Sequence, residues 1–223
     1  SQAIHKIELK HNDVIRVADF LIRISLEDDE DQVRKMEMED TLIGDDQIIR
    51  RELHTVERNL DASDAPPIKF PARQMRYYHE ALHAVCEQQS FEKLYQSTMD
   101  LLFRQFKAMD IWMAFRKAAS GPMDIQNGRK LTTEHVERQD LAIPASLAEA
   151  MAKNKYLLVH QLPRQIANRG IRSVIIAPIM VGKDNHGVIY IENSKEHAHY
   201  GLQDLDYLVL LTINIGHMII TLA

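Results

Sequence analysis

Residues 171–219 have the sequence IRSVIIAPIMVGKDNHGVIYIENSKEHAHYGLQDLDYLVLLTINIGHMI, and this stretch decides the fold. Two runs rich in β-branched residues, 171–181 and 187–193, flank a polar turn that contains a glycine. Such runs, bounded by turn residues, predict two neighbouring strands. A polar loop at 194–201 follows, and the long apolar stretch at 202–222 predicts a final helix.

Two helices are predicted upstream of this stretch. Apolar side chains recur at helical spacing over residues 73–89 and again over 91–108. Ser90 stands between them and is a suitable N-cap for the second helix, because its hydroxyl can accept a hydrogen bond from a free backbone N–H in the first turn.

The middle of the chain predicts a strand, a turn and a short helix. The strand covers residues 111–118, of which the first five are all apolar. Asn127-Gly128 predicts a hairpin turn, since both residues tolerate the backbone angles of tight turns. Residues 144–154 predict the short helix.

The order of these elements, together with a set of spaced residues, resembles a GAF domain over about residues 75–223. The resemblance implies an α+β fold in which an antiparallel sheet is flanked by helices, with the entry helices and the last helix on one side. It implies a non-enzymatic regulatory or sensory module that binds a small ligand or a partner. The matching positions are Ser173, Pro178, Gly187, Val188, Tyr190, Tyr200, Asp204 and Leu205.

The first residues resemble a different family. Residues 1–26 are similar to the last strands of a forkhead-associated (FHA) domain, and bacterial FHA–GAF signalling proteins combine the two families. The phosphopeptide-reading loops of FHA domains lie earlier in that fold, so phosphopeptide binding is not assigned to any residue here. We therefore predict an FHA-like remnant at 1–26, a linker at 27–72 and a GAF-like domain at 73–223. The residues that match the FHA pattern are Leu9, Asp13, Val14, Ile15, Phe20, Leu21, Ile22 and Ile24.

The predicted linker is acidic and partly helical. Residues 27–65 contain fourteen Asp and Glu against five Lys and Arg, and Pro66-Pro67 follows them. Apolar residues within this segment recur at roughly helical spacing. A charged segment that ends at a proline pair is typical of a linker, and an acidic docking segment is the alternative.

Composition excludes several classes of protein. The chain has 223 residues, 45% hydrophobic and 26% charged, which is typical of a soluble globular protein. One cysteine excludes a disulfide framework, and a net charge of −5 argues against general nucleic-acid binding. No signal peptide begins the sequence, and residues 207–223 are too short and too polar for a membrane span. We expect a cytoplasmic protein.

The motif His79-Glu80-Ala81-Leu82-His83 is an HExxH sequence. On a helix it places two imidazoles on one face, which suits zinc, with the glutamate as general base. A zinc-dependent peptidase that uses His79, Glu80 and His83 is therefore an alternative function. The positions where one zinc-peptidase class carries its further motif residues hold Cys86 and Gln89, so we expect helix-surface histidines, no metal and no cofactor.

A cyclic-nucleotide-binding GAF domain is a second alternative. Some GAF domains carry an Asn-Lys pair followed by a Phe-x-x-x-Asp-Glu motif. This chain has Asn193, Tyr200 and Asp204 in the corresponding positions, but Ser194 replaces the lysine and Leu205 replaces the glutamate. These departures favour structural roles: a loop anchor, an aromatic contact and a carboxylate at a helix N-terminus.

The resemblance also implies a ligand pocket between one face of the sheet and a cover formed by residues 143–161. The predicted sheet face has few charged side chains, so we expect a neutral, partly apolar ligand rather than a phosphate-bearing one. The candidate pocket residues are Trp112, Ala114, Leu157, His160, Ser173, Ile175, Ala177 and Tyr190.

The last helix predicts self-association. Apolar residues occur on all its sides, and a helix that is apolar all round is buried. We expect one side to pack on the sheet and the other to contact a second copy, giving a parallel homodimer through residues 73–89 and 202–222.

Overall fold

The structure is a computed structural model that describes residues 14–17, 20–23, 54–58 and 72–223. The chain divides into two compact units, Ser1–Asp45 and Asp46–Ala223. In the first unit, strands β1 (Val14–Val17) and β2 (Phe20–Arg23) form an antiparallel hairpin. The rest of the segment predicted as FHA-like, residues 1–13, 18–19 and 24–26, lies outside the described residues.

The second unit is built on a sheet in which seven strands are described, each antiparallel to its neighbours. Their order is β3-β7-β8-β9-β4-β5-β6, so the hairpin β8–β9, which the opening stretch of sequence predicts, is central. The strands are β3 (His54–Arg58), β4 (Ala108–Phe115), β5 (Ile125–Lys130), β6 (His135–Val136), β7 (Tyr156–Gln161), β8 (Ile171–Val181) and β9 (Asp184–Ser194).

Helices cover both faces of this sheet. The three long helices contact one another on one face, which is called the helix face below, as the sequence predicts. The 3₁₀ turn Arg138–Asp140 and the short helix Pro144–Lys153 cover the other face of the sheet. Residues 138–153 are called the lid below, and the face that they cover is called the lid face. The long helices are α1 (Ala72–Cys86), α2 (Phe91–Phe106) and α5 (Leu202–Thr221); the short ones are α3 (Pro144–Lys153), α4 (Arg164–Ala167) and the 3₁₀ turn Arg138–Asp140.

Strand alternation produces two separate cores. On β4, Ile111, Met113 and Phe115 belong to the core between sheet and long helices. Trp112 and Ala114 belong to a second core under the lid. Both sheet faces are therefore buried, which explains why β4, β8 and β9 have near-continuous apolar sequences.

Two details of the predicted helices are confirmed. Ser90 caps α2: its side chain accepts a hydrogen bond from the Lys93 backbone N–H at 3.3 Å. Helix α5 is long and apolar enough to cross a membrane by length and composition, but 56% of that window is buried inside the domain. It packs on β8 and α1, so α5 is a core helix of this fold.

Two sequence-based expectations need correction. Residues 54–58, inside the segment predicted as a linker, form β3 and pair with β7 at the sheet edge. This edge strand satisfies the free backbone groups of β7. Asn127-Gly128 lies within β5, where Gly128 is opposite Trp112, and not at a hairpin turn. A Cβ at Gly128 would lie 2.9 Å from the Trp112 side chain, so the glycine makes room for the indole.

Candidate functional site

Two acidic side chains lie next to each other on the lid face of the sheet. Asp110 on β4 and Glu192 on β9 are direct register partners. Alternation places Asp110 on the side of Trp112, and Glu192 on the side of Tyr190. Both acids are buried, with exposed fractions of 8% for Asp110 and 1% for Glu192. Adjacent buried carboxyl groups are costly in a fold, so this pair is the first candidate for function.

One oxygen of Glu192 holds the lid. Its Oε1 accepts hydrogen bonds from the Ala142 backbone N–H at 2.7 Å and from the Tyr190 hydroxyl at 2.7 Å. The Tyr190 oxygen in turn accepts from the Ile143 N–H at 3.2 Å. The connection between the 3₁₀ turn and α3 is therefore fixed to the sheet floor by two side chains of β9.

The other oxygens of the acid pair have no such partners. Among the residues that the structure describes, neither Asp110 Oδ1 nor Glu192 Oε2 has a hydrogen-bond partner. Buried polar atoms are almost always satisfied in folded proteins, so each exception calls for an explanation.

An open cleft of about 730 Å³ lies beside Asp110; it is called the acidic cleft below. Its volume falls in the range of small-molecule sites. Its walls come from the start of β4, the β5–β6 hairpin, Arg169 before β8, and the loop after β9. Besides Asp110, the charged and imidazole side chains that line it are Lys107, Lys130, His135, Asp140, Arg169, Glu196 and His197.

Burial controls the ionisation of the acid pair. It raises the pKa of the Glu192 carboxyl to about 7. The hydrogen bonds from Tyr190 and Ala142 oppose this rise, the negative charge of Asp110 adds to it, and Arg169 opposes it. Burial also raises the pKa of Asp110, against the positive charges of Lys130 and Arg169.

The nearby cations have partners elsewhere. Arg169 Nη2 donates to the Asp140 backbone oxygen at 2.5 Å, and Lys130 Nζ pairs with Glu134 at 3.0 Å. They lower the electrostatic cost of the acid pair from a distance, and neither donates a hydrogen bond to the two unpartnered oxygens.

The structure does not bring the eight predicted pocket residues together. Trp112, Ala114, Leu157 and Tyr190 lie in the core under the lid, where their side chains are buried. Trp112 also lines an open cavity of about 700 Å³, together with residues of β5 and of the segment 135–144.

The other four predicted pocket residues lie elsewhere. Ile175 and Ala177 belong to the opposite core, against the long helices. Alternation along β7 places His160 on the same side as Leu158, towards those helices, and Ser173 belongs to a polar cluster at the end of β8. The register explains this correction: Ile176, not Ile175, is the β8 partner of Tyr190.

That polar cluster explains several residues of the family motif. Asn193 Oδ1 accepts from both the backbone N–H and the hydroxyl of Ser173, at 2.9 and 2.8 Å. Ser173 Oγ accepts from the Tyr200 N–H at 2.9 Å, and Asn193 Nδ2 donates to the Ala198 oxygen. Asp204 accepts from the Gly201 N–H at the start of α5 at 2.8 Å. These groups are engaged in holding the loop before α5.

The HExxH residues lie on the exposed side of α1. His79, Glu80 and His83 are exposed. Glu80 pairs with Arg76 at 3.2 Å, and His83 with Glu87 at 3.0 Å. Within the described ranges, no three His, Cys, Asp or Glu side chains are grouped so that they could hold a metal ion.

Comparison with models of known families shows to which family this chain belongs. The model of the GAF domain matches residues 90–219, which is more than half of the chain. The chain belongs to the GAF domain family. The resemblance inferred from the β8–β9 hairpin and α5 is thereby confirmed. The match concerns the second unit, and the FHA resemblance of residues 1–26 stays a prediction.

Solved GAF-type structures share little sequence with this GAF domain. A GAF domain of a phosphoenolpyruvate-protein phosphotransferase from Acinetobacter is 10% identical, with 67% of this chain and 94% of that chain covered and a TM-score of 0.49. Free methionine-R-sulfoxide reductase from Neisseria meningitidis, in complex with its substrate, is 17% identical, with 69% and 95% covered and a TM-score of 0.49. The Nlh2 GAF domain from A. aeolicus, in an inactive state, is 13% identical, with 66% and 94% covered and a TM-score of 0.45. No curated protein matches the sequence.

Sequence reasoning missed the acid pair of this GAF domain. Glu192 was detectable, because it stands two residues after Tyr190 in a strand and must share the face of that tyrosine. Asp110 was not, since the predicted strand began at residue 111 and the structure extends it to 108. Arg169 lies between predicted elements, where no pattern indicates a role.

Proposed function

We propose that this GAF domain is a non-enzymatic regulatory module that binds a small molecule in the acidic cleft and transmits its occupancy through α5. The observation that carries the proposal is a buried Asp110 oxygen to which no described residue donates a hydrogen bond, beside an open cavity large enough for a metabolite. A ligand that satisfies this oxygen stabilises the conformation in which the cleft is formed. Binding of this kind shifts the population between conformations.

The loop after β9 connects the cleft with α5. Ser194, Glu196 and His197 line the cleft, and the chain enters α5 five residues after His197. The loop is fixed at its far end, because the Tyr200 hydroxyl donates to the Phe106 oxygen at 2.9 Å. Movement of the cleft wall therefore acts directly on the first turn of α5.

We expect helix α5 to transmit the effect of ligand binding to α1, because the two helices are in direct contact. The Tyr207 hydroxyl contacts the Tyr77 backbone oxygen at 3.2 Å, and Asn214 Nδ2 donates to the Tyr78 hydroxyl at 2.8 Å. The rings of Tyr78 and Tyr207 pack edge to face at 6.1 Å. The two helices thus form one packed pair within a chain, and this pair is the output of the module.

We also propose that two copies associate through this helix pair. The contact of α5 with α1 of its own chain leaves one side of α5 incompletely covered, with Ile220 46% exposed. Two such pairs side by side make a bundle, in keeping with the parallel homodimer expected from the sequence. Apolar residues that remain exposed or half-buried on the two helices include Met75, Tyr77, Leu210, Ile213, Met218 and Ile220.

A regulatory role accounts for more of the structure than catalysis does. The chain's one thiol, Cys86, lies exposed at the end of α1 and does not line the acidic cleft. Glu80 and His83 of the HExxH motif are paired on the surface with Arg76 and Glu87. In keeping with the FHA resemblance of residues 1–26, we propose that the module is part of an FHA–GAF signalling protein.

Thermal-shift screening of a mixed metabolite collection tests the ligand site. We expect at least one compound to raise the melting temperature of the native chain and to lose this effect in Thr132→Trp, which places an indole at the cleft wall. Gln203→Trp is the control, because Gln203 is equally exposed but lies outside the cleft. Stabilisation that persists in Thr132→Trp would move the ligand to another site and refute this assignment.

Light scattering tests the homodimer. We expect twice the chain mass of 25.7 kDa at tens of micromolar, and the single-chain mass for Ile220→Glu. Leu131→Glu is the matched control, because Leu131 is another exposed large apolar side chain but lies on the β5–β6 hairpin. A native chain that is monomeric at this concentration refutes the dimer and leaves the ligand site standing.

A further inference from the structure

The acid pair, Asp110 and Glu192, has hydrogen-bonding capacity that no described residue satisfies. Two carboxyl groups on neighbouring strands each carry one oxygen, Asp110 Oδ1 and Glu192 Oε2, that has no partner within the described part of the chain. Side chains directly opposite on antiparallel strands have Cβ atoms roughly 4.5–5.5 Å apart. One small group between them can therefore reach both oxygens.

The missing component is a donor with positive charge. Each unpartnered oxygen is an acceptor when its carboxyl group is ionised, and the two groups repel each other when Glu192 loses the proton that burial favours. Of the three cationic side chains that line the cleft, Arg169 and Lys130 donate to Asp140 and Glu134 instead, and Lys107 donates to neither oxygen; neither oxygen has a partner among the described residues. A neutral donor would form hydrogen bonds to the two oxygens but would leave the repulsion between ionised carboxylates. A cationic donor forms the hydrogen bonds and also offsets the negative charge.

Asp110 is the member of the acid pair that a ligand in the cleft contacts. The residue is 8% exposed, lines the acidic cleft, and has an oxygen without a partner among the described residues. Glu192 is 1% exposed, and its other oxygen holds the lid. A ligand that enters the cleft meets Asp110, which lines it, and Glu192 is the register partner of Asp110 on the next strand.

We infer that the acidic cleft recognises a ligand through a primary ammonium group, which donates hydrogen bonds to Asp110 and Glu192. The inference rests on the proposed ligand site and names the chemistry of its ligand. A primary ammonium carries three N–H donors in a compact head, which suits two acceptors on adjacent strands. A quaternary ammonium carries the same charge without N–H donors and with greater bulk.

Paired NMR titrations of the full chain with ethylammonium chloride and tetramethylammonium chloride, at equal ionic strength, test this chemistry. We expect saturable shifts of the Asp110, Glu192 and Ala142 amide signals in the millimolar range with ethylammonium alone. Asp110→Asn should weaken this binding roughly tenfold or more, because it removes a charged hydrogen-bond acceptor. Asp184→Asn is the matched control: it removes the same charge at an exposed position at the other end of β9 and should leave binding unchanged.

A third titration, with β-alanine, separates two sources of the ammonium group. Tighter binding than ethylammonium indicates a zwitterion whose carboxylate lies near Arg169 and Lys130, and weaker binding indicates a simple amine; both keep the ammonium contact. Equal shifts with both ammonium salts, or unchanged binding in Asp110→Asn, overturn the inference. The proposed ligand site survives that result if a compound from the screen still loses its effect in Thr132→Trp.

Discussion

Replacing Glu192 by glutamine should remove a pH dependence of stability that the buried carboxyl creates. Burial raises the pKa of Glu192 from 4.5 to about 7 in the folded chain. Between these two values the folded state keeps a proton that the unfolded state has lost. Unfolding then releases a proton, so the free energy of unfolding falls as the pH rises through this window. The contribution is complete below pH 4.5 and lost above pH 7.

The size of the effect follows from the two pKa values. Their difference corresponds to roughly 3 kcal/mol, since each pKa unit is about 1.4 kcal/mol. Glutamine keeps a carbonyl oxygen that can accept from the Ala142 N–H and the Tyr190 hydroxyl, so the lid contact survives. Its amide is neutral at every pH and no longer repels Asp110. Glu192→Gln should therefore gain stability relative to the native chain on going from pH 5 to pH 7.5, by up to that amount.

Urea unfolding at pH 5, 6 and 7.5 measures this difference. The chain has one tryptophan, Trp112, which is 4% exposed under the lid and reports unfolding by fluorescence. Asp184→Asn is the control, because the exposed Asp184 carboxyl should not alter the slope. Subtracting the native curve from each variant cancels the titration of all other groups. A Glu192→Gln difference that is the same at pH 5 and pH 7.5, or that becomes less favourable at high pH, would refute the assignment of a buried, proton-holding carboxyl.

Three further predictions concern other parts of the GAF domain. Gly128→Ala should lower the free energy of unfolding by roughly 2 kcal/mol or more in urea, because the new Cβ would lie 2.4 Å from the Val136 backbone oxygen. Gly201→Ala is the control: its Cβ would have no neighbour nearer than 3.9 Å, so the loss of stability should be far smaller. His83→Ala should change stability by no more than about 0.5 kcal/mol, since the residue is exposed and its pairing with Glu87 is a surface contact. Stoichiometric zinc that survives dialysis of the native chain and is lost in that variant would instead support the peptidase alternative. Calorimetry with cyclic AMP and cyclic GMP should show no binding at micromolar concentrations, and a saturable isotherm for either would contradict the structural reading of the motif.

The order of elements in the GAF domain could be predicted because each element carries its own local signal. The hairpin β8–β9 has two apolar runs around a polar turn, and α2 has a capping serine before an apolar stripe. Strand β3 has no such signal. Its five residues become a strand only because the edge of β7, about a hundred positions later, offers backbone groups to pair with.

The faces of the strands could be predicted only in part. Alternation shows that Ile175 and Ala177 share a side, and this holds in the structure. It does not show which side, because both faces of this sheet are buried and equally apolar. Only the register decides it: Tyr190 faces the lid, its β8 partner is Ile176, and Ile175 therefore faces the long helices. A sheet with one exposed face would have revealed the answer through its polar residues.

The position of the acid pair connects the three parts of the proposed module. Glu192 Oε1 holds the lid through the Ala142 N–H, Glu192 Oε2 has no hydrogen-bond partner among the described residues, and Asp110, the register partner of Glu192, lines the cleft. Two residues further on, β9 ends at Ser194 and the loop to α5 begins. A cation bound at Oε2 keeps the carboxyl ionised, and an ionised carboxylate is the stronger acceptor for the lid N–H. Ligand binding and lid closure should therefore reinforce each other through one side chain, and Asp110→Asn should weaken both in the presence of ethylammonium while Asp184→Asn weakens neither.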